Sequence, residues 1–395
     1  MYDFIYTTPT KVYFGTNSED KLARALTEQG CKCVLIHYGG KSAESSGLLD
    51  RVKQAVKSVG ASIVTLGGVK PNPRLSLIEK GIELCVQNGV DLILAVGGGS
   101  VIDSSKAIAL GVANGGNVWD FYERKRIPER SLPVGTVLTI SAAGSEMSNS
   151  SVITNDYTWT KRGLNSDLTR LRFAVMNPEL TVTVPAYHTA CGCADILMHT
   201  LERYLTGAPT MSITDGIAEA LMKTVIAASD AVMKNPDDLD ARANLMWASS
   251  LSHNGLTGCG GDGGDWCTHQ LGHELSALFD VAHGASLTSV WGTWARYVYK
   301  DSLQRFYNLA VHVMGILPCG TKEEVALEGI AALEKWFKGL GLPTTIKELG
   351  VEVTEEKLNL MAEKCAFANG GKKGSCRALY REDMLEIYTR SARGE

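Results

Sequence analysis

A chain of 395 residues is longer than one ordinary hydrophobic core, and 45% apolar residues supply enough for two packed domains. The net charge of −4 provides no basic stripe for nucleic acid, and no apolar run reaches the ~20 residues of a membrane span. The opening MYDFIYTTPTK lacks the basic-then-apolar order of a secretory signal, and the ten cysteines form no paired CxxC frame, so a cytoplasmic protein with buried thiols is expected.

Along residues 1–185 short apolar runs alternate with amphipathic stretches. After an opening segment that reads as a strand, residues 32–38, 62–66, 91–96, 133–140 and 173–176 have strand character. Strands separated by helices predict a parallel, Rossmann-like sheet. From Pro185 onward, residues 189–205, 212–233, 237–256 and 323–340 read as long helices with hardly a strand between them. The expected organisation is an α/β domain over 1–185 and an all-α domain over 186–395.

Three glycine-containing turns follow predicted strands. Gly97, Gly98, Gly99 and Ser100 connect a strand to a helix carrying Asp103 and Lys106. Such a turn lets backbone approach a phosphate, and the free N–H groups at the helix start favour an anion. Neither GxxxxGK[ST] nor a clean GxGxxG is present, so the common phosphate-loop and Rossmann fingerprints are absent. The turn after the 32–38 run holds Gly39, Gly40, Lys41 and Ser42. An acid at such a strand end takes a ribose 2′-hydroxyl, whereas a cation accommodates a 2′-phosphate. Lys41 therefore predicts NADP(H), with Glu44 nearby as the opposing charge. The third turn, Thr139 to Glu146, offers hydroxyls and backbone donors from Thr139 and Ser145.

The second half contributes a histidine cluster. Asp195 and His199 stand four apart, as do His269 and His273, and His283 precedes Gly284. A spacing of four places both side chains of a pair on one helix face, where they can converge on a divalent cation. One Asp with imidazoles is a mixed O/N set that suits Zn(II) or Fe(II) equally. Four imidazoles are too many for a tetrahedral site, so one stands beside the ion as a hydrogen-bonding or relay group, and spacing does not say which. Cys191 and Cys193 in the same helix read as packing residues.

GGGSxxDxxK at 97–106, GSE at 144–146, DxxxH at 195–199 and HxxxHxxxxxxxxxHG at 269–284 together resemble the iron-containing (group III) alcohol dehydrogenases. YGG at 38–40, DW..HQLGHELSA at 265–277 and AHGASL at 282–287 are most similar to the NADPH-dependent butanol dehydrogenase or aldehyde reductase branch. The resemblance spans nearly the whole chain. It implies a dehydroquinate synthase-like architecture, with the active site in a cleft between an α/β dinucleotide domain and a helical domain. It also implies that Asp195, His199, His269 and His283 hold the ion and that His273 is the catalytic neighbour of substrate and nicotinamide. The nucleotide loop maps to Gly97 through Ser100, with Asp103, Lys106, Thr139, Ser145 and Lys161 around it. Ala143 and Ser141 depart from residues common in the family, which touches details of nucleotide contact.

The activity so implied is hydride transfer between NADP(H) and a short-chain aldehyde or primary alcohol, in a homodimer or higher homo-oligomer. Trp119, Phe121, Asn149, Ser150, Trp266 and Phe279 are candidates for an apolar substrate pocket. Rival readings are a polyol dehydrogenase or metal-dependent lyase on the same scaffold, a metallohydrolase, and a non-enzymatic interaction protein. The lyase predicts more Arg and Lys near the metal helices, and the hydrolase leaves the glycine turns without a role.

Overall fold

The computed structural model describes residues 1–395. The chain forms two compact units, one of Thr7–Val184 and one of Pro185–Glu395 together with Met1–Tyr6. The opening residues join the helical unit because the Tyr2 N–H donates to Gly260 O at 2.9 Å. No helix is long and apolar enough to cross a membrane.

The first unit contains strands β1 (Lys11–Phe14), β2 (Cys33–Tyr38), β3 (Ser62–Leu66), β4 (Leu92–Gly97), β5 (Val134–Leu138), β6 (Ser150–Asn155), β7 (Thr160–Asn165) and β8 (Phe173–Met176). Six of them form an all-parallel sheet in the order β1-β8-β5-β4-β2-β3. LILAVG in β4 is buried at every position, the pattern of a parallel strand covered on both faces. Gly135 of β5 is in register with Phe173 of β8, and a Cβ there would sit 2.2 Å from the Phe173 ring, so glycine makes the space that the aromatic fills. Helices Leu75–Asn88 and Gly99–Asn114 interlock the same way. A Cβ on Gly81 would meet Ile108 at 2.4 Å, and one on Gly111 would meet Ile82 at 2.2 Å.

Strands β6 and β7 form a separate antiparallel hairpin that the apolar pattern does not announce. SSVITN and TKRGLN carry too many polar residues to read as buried strands.

The sheet order sets the ends of β5, β4 and β2 side by side. The chain runs outward from β2 to β3 and then returns to β4 on the other side of β2. Ligands of open α/β sheets bind beyond the carboxyl ends of strands at such a reversal, and the three glycine-containing turns lie there.

The second unit is built on helices. Residues 189–202 of the helix Ala186–Tyr204 are all buried. A helix covered on every side is an interior helix, so any polar side chain it carries lies inside the unit. Its Leu197 and Leu201 share one buried core with Leu271, Leu275, Leu287 and Trp291. Its ladder-type pairing is the isolated bridge between Lys373 and Leu379.

His37, in the middle of the parallel sheet, is fully buried between Leu66 O and Ser104 Oγ, each 2.8 Å from a ring nitrogen. Burial pushes its pKa down to about 4, while the bond to Leu66 opposes the shift. Between pH 6.5 and 4 the unfolded chain binds a proton that the folded chain refuses, so stability falls as pH drops through this window. The loss amounts to about 3 kcal/mol. Urea unfolding at several pH values should show the advantage of wild type over His37→Asn shrinking by about that amount from pH 7 to 4. An advantage independent of pH would overturn this account.

Candidate functional site

The dinucleotide candidates sit in the Thr7–Val184 unit. Gly97 closes β4, Gly98 adopts an extended conformation, and Gly99 begins a sixteen-residue helix. A Cβ on Gly98 would lie 2.1 Å from Ile140 Cγ2, and one on Gly99 would lie 2.9 Å from Ala143 Cβ. Glycine at these positions therefore lets two turns press together at the strand ends. The first N–H groups of that helix have no partner inside it, which is the geometry that receives an anion. Gly39, Gly40, Lys41 and Ser42 extend from the neighbouring β2, and Lys41 and Ser42 are exposed. Glu44 is engaged by the Tyr38 hydroxyl, which donates to its Oε1 at 3.1 Å. Thr139 follows β5, with its N–H on Gly97 O at 3.1 Å.

Three of the expected cofactor residues are committed to the protein itself. The Ser145 hydroxyl donates to Asp103 Oδ1, and the Val152 N–H donates to Asp103 Oδ2 at 2.9 Å. Lys161, on the hairpin, is buried with its Nζ on Asn72 Oδ1 at 2.9 Å. Beneath them the fully buried Lys106 ammonium donates to the carbonyls of Ser145 (2.7 Å), Ser148 (3.1 Å) and Ser150 (2.7 Å). Burial pushes this lysine down to about 8, with Asp103 and Glu146 opposing. Asp103 and Lys106 thus fix the loop from 145 to 152 from below. Trp119 and Phe121 are core residues, stacked or sandwiched by Tyr122 and Arg126, and so offer no substrate surface.

The metal candidates belong to the helical unit. Asp195 and His199 lie on the buried helix Ala186–Tyr204, His269 and His273 on Cys267–Phe279, and His283 begins the helix His283–Val298. Gly284 permits this convergence, because a Cβ there would fall 2.2 Å from Cys191 O, one turn before Asp195. Cys191 is thereby a packing residue of the helix crossing.

Asp195 Oδ1 faces three ring nitrogens, His199 Nδ1 at 3.6 Å, His283 Nε2 at 3.7 Å and His269 Nε2 at 3.8 Å. These separations are too long for hydrogen bonds. They approach the ~3.4 Å between two tetrahedral ligand atoms that each lie ~2.1 Å from one ion. The ligand atoms of Asp195, His199 and His269 all fall within 4.8 Å of one another. His199 Nδ1 and His269 Nε2 are buried and make no hydrogen bond. Burial pushes His199 down to about 3, against the pull of Asp195, so its ring is neutral and able to coordinate. At His269 burial also works downward, but the carboxylates of Asp195 and Glu202 outweigh it and raise the ring's pKa. The two carboxylates thus favour positive charge at that ring, beside the place an ion would take. The donor set and its spacing fit a divalent metal.

His273 is buried beside the cluster, its ring 5.3 Å from His283 and 6.3 Å from His269. Three neighbours escape a reading of the sequence. The Glu202 carboxylate lies 2.9 Å from His269 Nδ1, the His253 ring centre is 4.0 Å from that of His199, and Arg203 donates to His199 O at 2.8 Å. Glu202 had a sequence signal, since it lies three residues after His199 on the same helix face. His253 comes from a different helix and had none. Trp266, at φ 60°, lies under Arg203 and edge-on to His269, so this pocket candidate does adjoin the cluster. Phe279 is half-buried under Lys357.

The sequence profile of the iron-containing alcohol dehydrogenases matches residues 9–178, and that of the family's C-terminal domain matches 189–392. NADH-dependent butanol dehydrogenase A of Clostridium acetobutylicum is 42% identical over 392 residues, covering 99% of this chain and 100% of that protein. NADPH-dependent aldehyde reductase YqhD of Escherichia coli is 34% identical, covering 89% of this chain and 90% of that protein. The crystal structure of NADH-dependent butanol dehydrogenase A from Thermotoga maritima superposes with a TM-score of 0.95 at 36% identity, covering 99% of each chain. With its two family domains, its all-parallel dinucleotide-type sheet and its histidine cluster, this chain belongs to the iron-containing alcohol dehydrogenases, pyridine-nucleotide-dependent enzymes that interconvert alcohols and aldehydes.

Proposed function

We propose that this chain reduces short-chain aldehydes such as butanal, and oxidises the corresponding primary alcohols, with Asp195, His199, His269 and His283 as ligands of a divalent iron. The observation that carries the reading is the convergence of three imidazole nitrogens on one buried carboxylate oxygen at 3.6, 3.7 and 3.8 Å. A divalent ion bound there acts as a Lewis acid toward a carbonyl or alcohol oxygen, and nicotinamide supplies or takes the hydride.

The chain's own residues bind, orient and exclude water. The buried rings of His199, His269 and His273 keep the site dry, which strengthens its electrostatics. His273 stands one turn from His269 and is the residue to hold or deliver the proton of the substrate oxygen. Gly97, Gly98, Gly99 and Ser100 receive the pyrophosphate, with Gly39, Gly40 and Ser42 beside the adenosine ribose and Thr139 on the other flank. Asp103, Ser145 and Lys161 shape this surface from within. Lys41 makes the 2′-phosphorylated dinucleotide acceptable, since it is exposed with no ion pair whereas Glu44 is held by Tyr38. A homodimer or larger homo-oligomer belongs to this reading, with β1, a terminal strand of the sheet, as an edge that a second copy can cover. Light scattering on purified protein reads the copy number, and a monomer at working concentration would sink that part.

Metal-stripped protein given Fe(II) or Zn(II) should oxidise NADPH at 340 nm with butanal only once metal is present. Lys41→Ala should raise KM for NADPH roughly ten-fold while leaving KM for NADH unchanged, on the scale of one partly screened ion pair. Equal effects on both dinucleotides would refute the 2′-phosphate role. His273→Ala should keep its metal and lose kcat by about 10²–10⁴-fold, as expected for a missing proton-transfer group. Asp195→Ala should lose the metal itself, so metal analysis of the two variants separates a relay from a ligand.

A further inference from the structure

We propose that Glu202 is a positioning residue of the metal centre, fixing the His269 ring so that Nε2 is presented to the ion, and that its negative charge helps retain a divalent cation. The proposal rests on the ligand assignment above and deepens it.

Asp195, His199 and Glu202 lie at i, i+4 and i+7 of the helix Ala186–Tyr204, a single stripe on its face. Asp195 and His199 point one donor each into the cluster. Glu202, one turn further and only 3% exposed, reaches the opposite side of the His269 ring. Its Oε1 is 2.9 Å from His269 Nδ1 and 2.8 Å from the His269 backbone nitrogen. A carboxylate only accepts, so both nitrogens are donors. The proton is thereby assigned to Nδ1, and Nε2 is left with its lone pair on the side that faces Asp195 Oδ1. Two bonds from one oxygen to one residue also fix the backbone from which the ring hangs. His269 is the third residue of its helix, so the backbone bond satisfies one of the otherwise orphaned N–H groups of the first turn.

The second oxygen of Glu202 is buried and makes no hydrogen bond. A residue serving only as a helix cap needs one acceptor, and an amide or hydroxyl would provide it without a buried charge. The charge gains a purpose once a dication is counted. Asp195 as a ligand and Glu202 behind His269 would each place a negative charge beside a dication. Hydrogen-bonded carboxylates behind metal-ligating histidines commonly change metal affinity 10–100-fold.

The test is anaerobic Fe(II) binding, in competition with a chromophoric chelator, by full-length wild type, Glu202→Gln, Glu202→Ala and Asp195→Ala, with thermal unfolding of each protein metal-free and Fe(II)-loaded. Glu202→Gln retains an acceptor of the same shape without the charge. It should unfold like wild type when metal-free, yet bind Fe(II) about ten-fold more weakly and gain less from loading. Glu202→Ala should bind more weakly still, toward the 100-fold end. Wild-type affinity in Glu202→Gln and Glu202→Ala, with equal losses of thermal stability metal-free and loaded, would reduce Glu202 to a helix cap and overturn the proposal. Wild-type affinity in Asp195→Ala overturns the ligand assignment instead, and the inference about Glu202 falls with it.

Discussion

A carboxylate inside a helix that is buried on every side governs the arrangement of the helical unit. Asp195 sits among fourteen consecutive buried residues, and an ionised group taken out of water is costly unless its charge is met. Neutral imidazoles supply donor atoms without supplying charge, and burial keeps His199 neutral. In the proposed reading a cation resolves the imbalance. The surrounding features follow from bringing rings from two further helices to that one oxygen. Gly284 lets the His283 helix start against the backbone of Cys191, and Gly264, at φ 101°, lets the preceding loop cross so close that a Cβ would lie 2.5 Å from Glu202 O. Trp266 takes a left-handed conformation to begin the His269 helix, a strain that recurs at functional sites.

In the proposed reading the sheet unit solves the complementary problem of presenting donors to an anion. Its helix starts at the strand ends, and the charged groups beneath are used for construction. Lys106 gathers three carbonyls of one loop, and Asp103 gathers a hydroxyl and an N–H from the same loop. A buried lysine whose donors are all occupied rigidifies more than it attracts. The GGGSxxDxxK motif therefore divides by depth, Gly98, Gly99 and Ser100 partly exposed at the turn after the buried Gly97, and its Asp and Lys holding the adjoining loop in place.

The parallel sheet was legible because its strands are short, apolar and separated by amphipathic helices, and a fully covered strand such as LILAVG needs no alternation to be recognised. The Asp195–His199 and His269–His273 pairs were legible because one helical turn places each pair on one face. What escaped has physical causes. The β6–β7 hairpin is polar, so the hydrophobic pattern is silent there. Trp119 and Phe121 read as loop aromatics that could line a substrate pocket, yet a four-residue helix turns them into the core. Met1–Tyr6 precedes the sheet in sequence and is hydrogen-bonded to the other unit, a long-range pairing that local periodicity does not encode. Glu202 followed the cluster at readable spacing, but an acid on a helix is ordinarily solvated, and only its burial and its 2.9 Å approach to His269 reveal a role.

The choice between dinucleotides rests on few atoms. Relatives named for NADH and for NADPH share this fold at 42% and 34% identity, so the scaffold does not decide. In the proposed reading the decision falls to the end of β2, where Lys41 and Glu44 stand three residues apart with opposite charge. A dianionic phosphate ~4 Å from one ammonium in water gains on the order of 2 kcal/mol, and a carboxylate at equal distance cancels it. Tyr38 breaks that symmetry, because its hydroxyl donates to Glu44 and holds the carboxylate in place while Lys41 remains free to move. Both charges are exposed and screened by salt, so the proposed preference is a ratio of affinities that falls with ionic strength rather than an absolute exclusion of either dinucleotide.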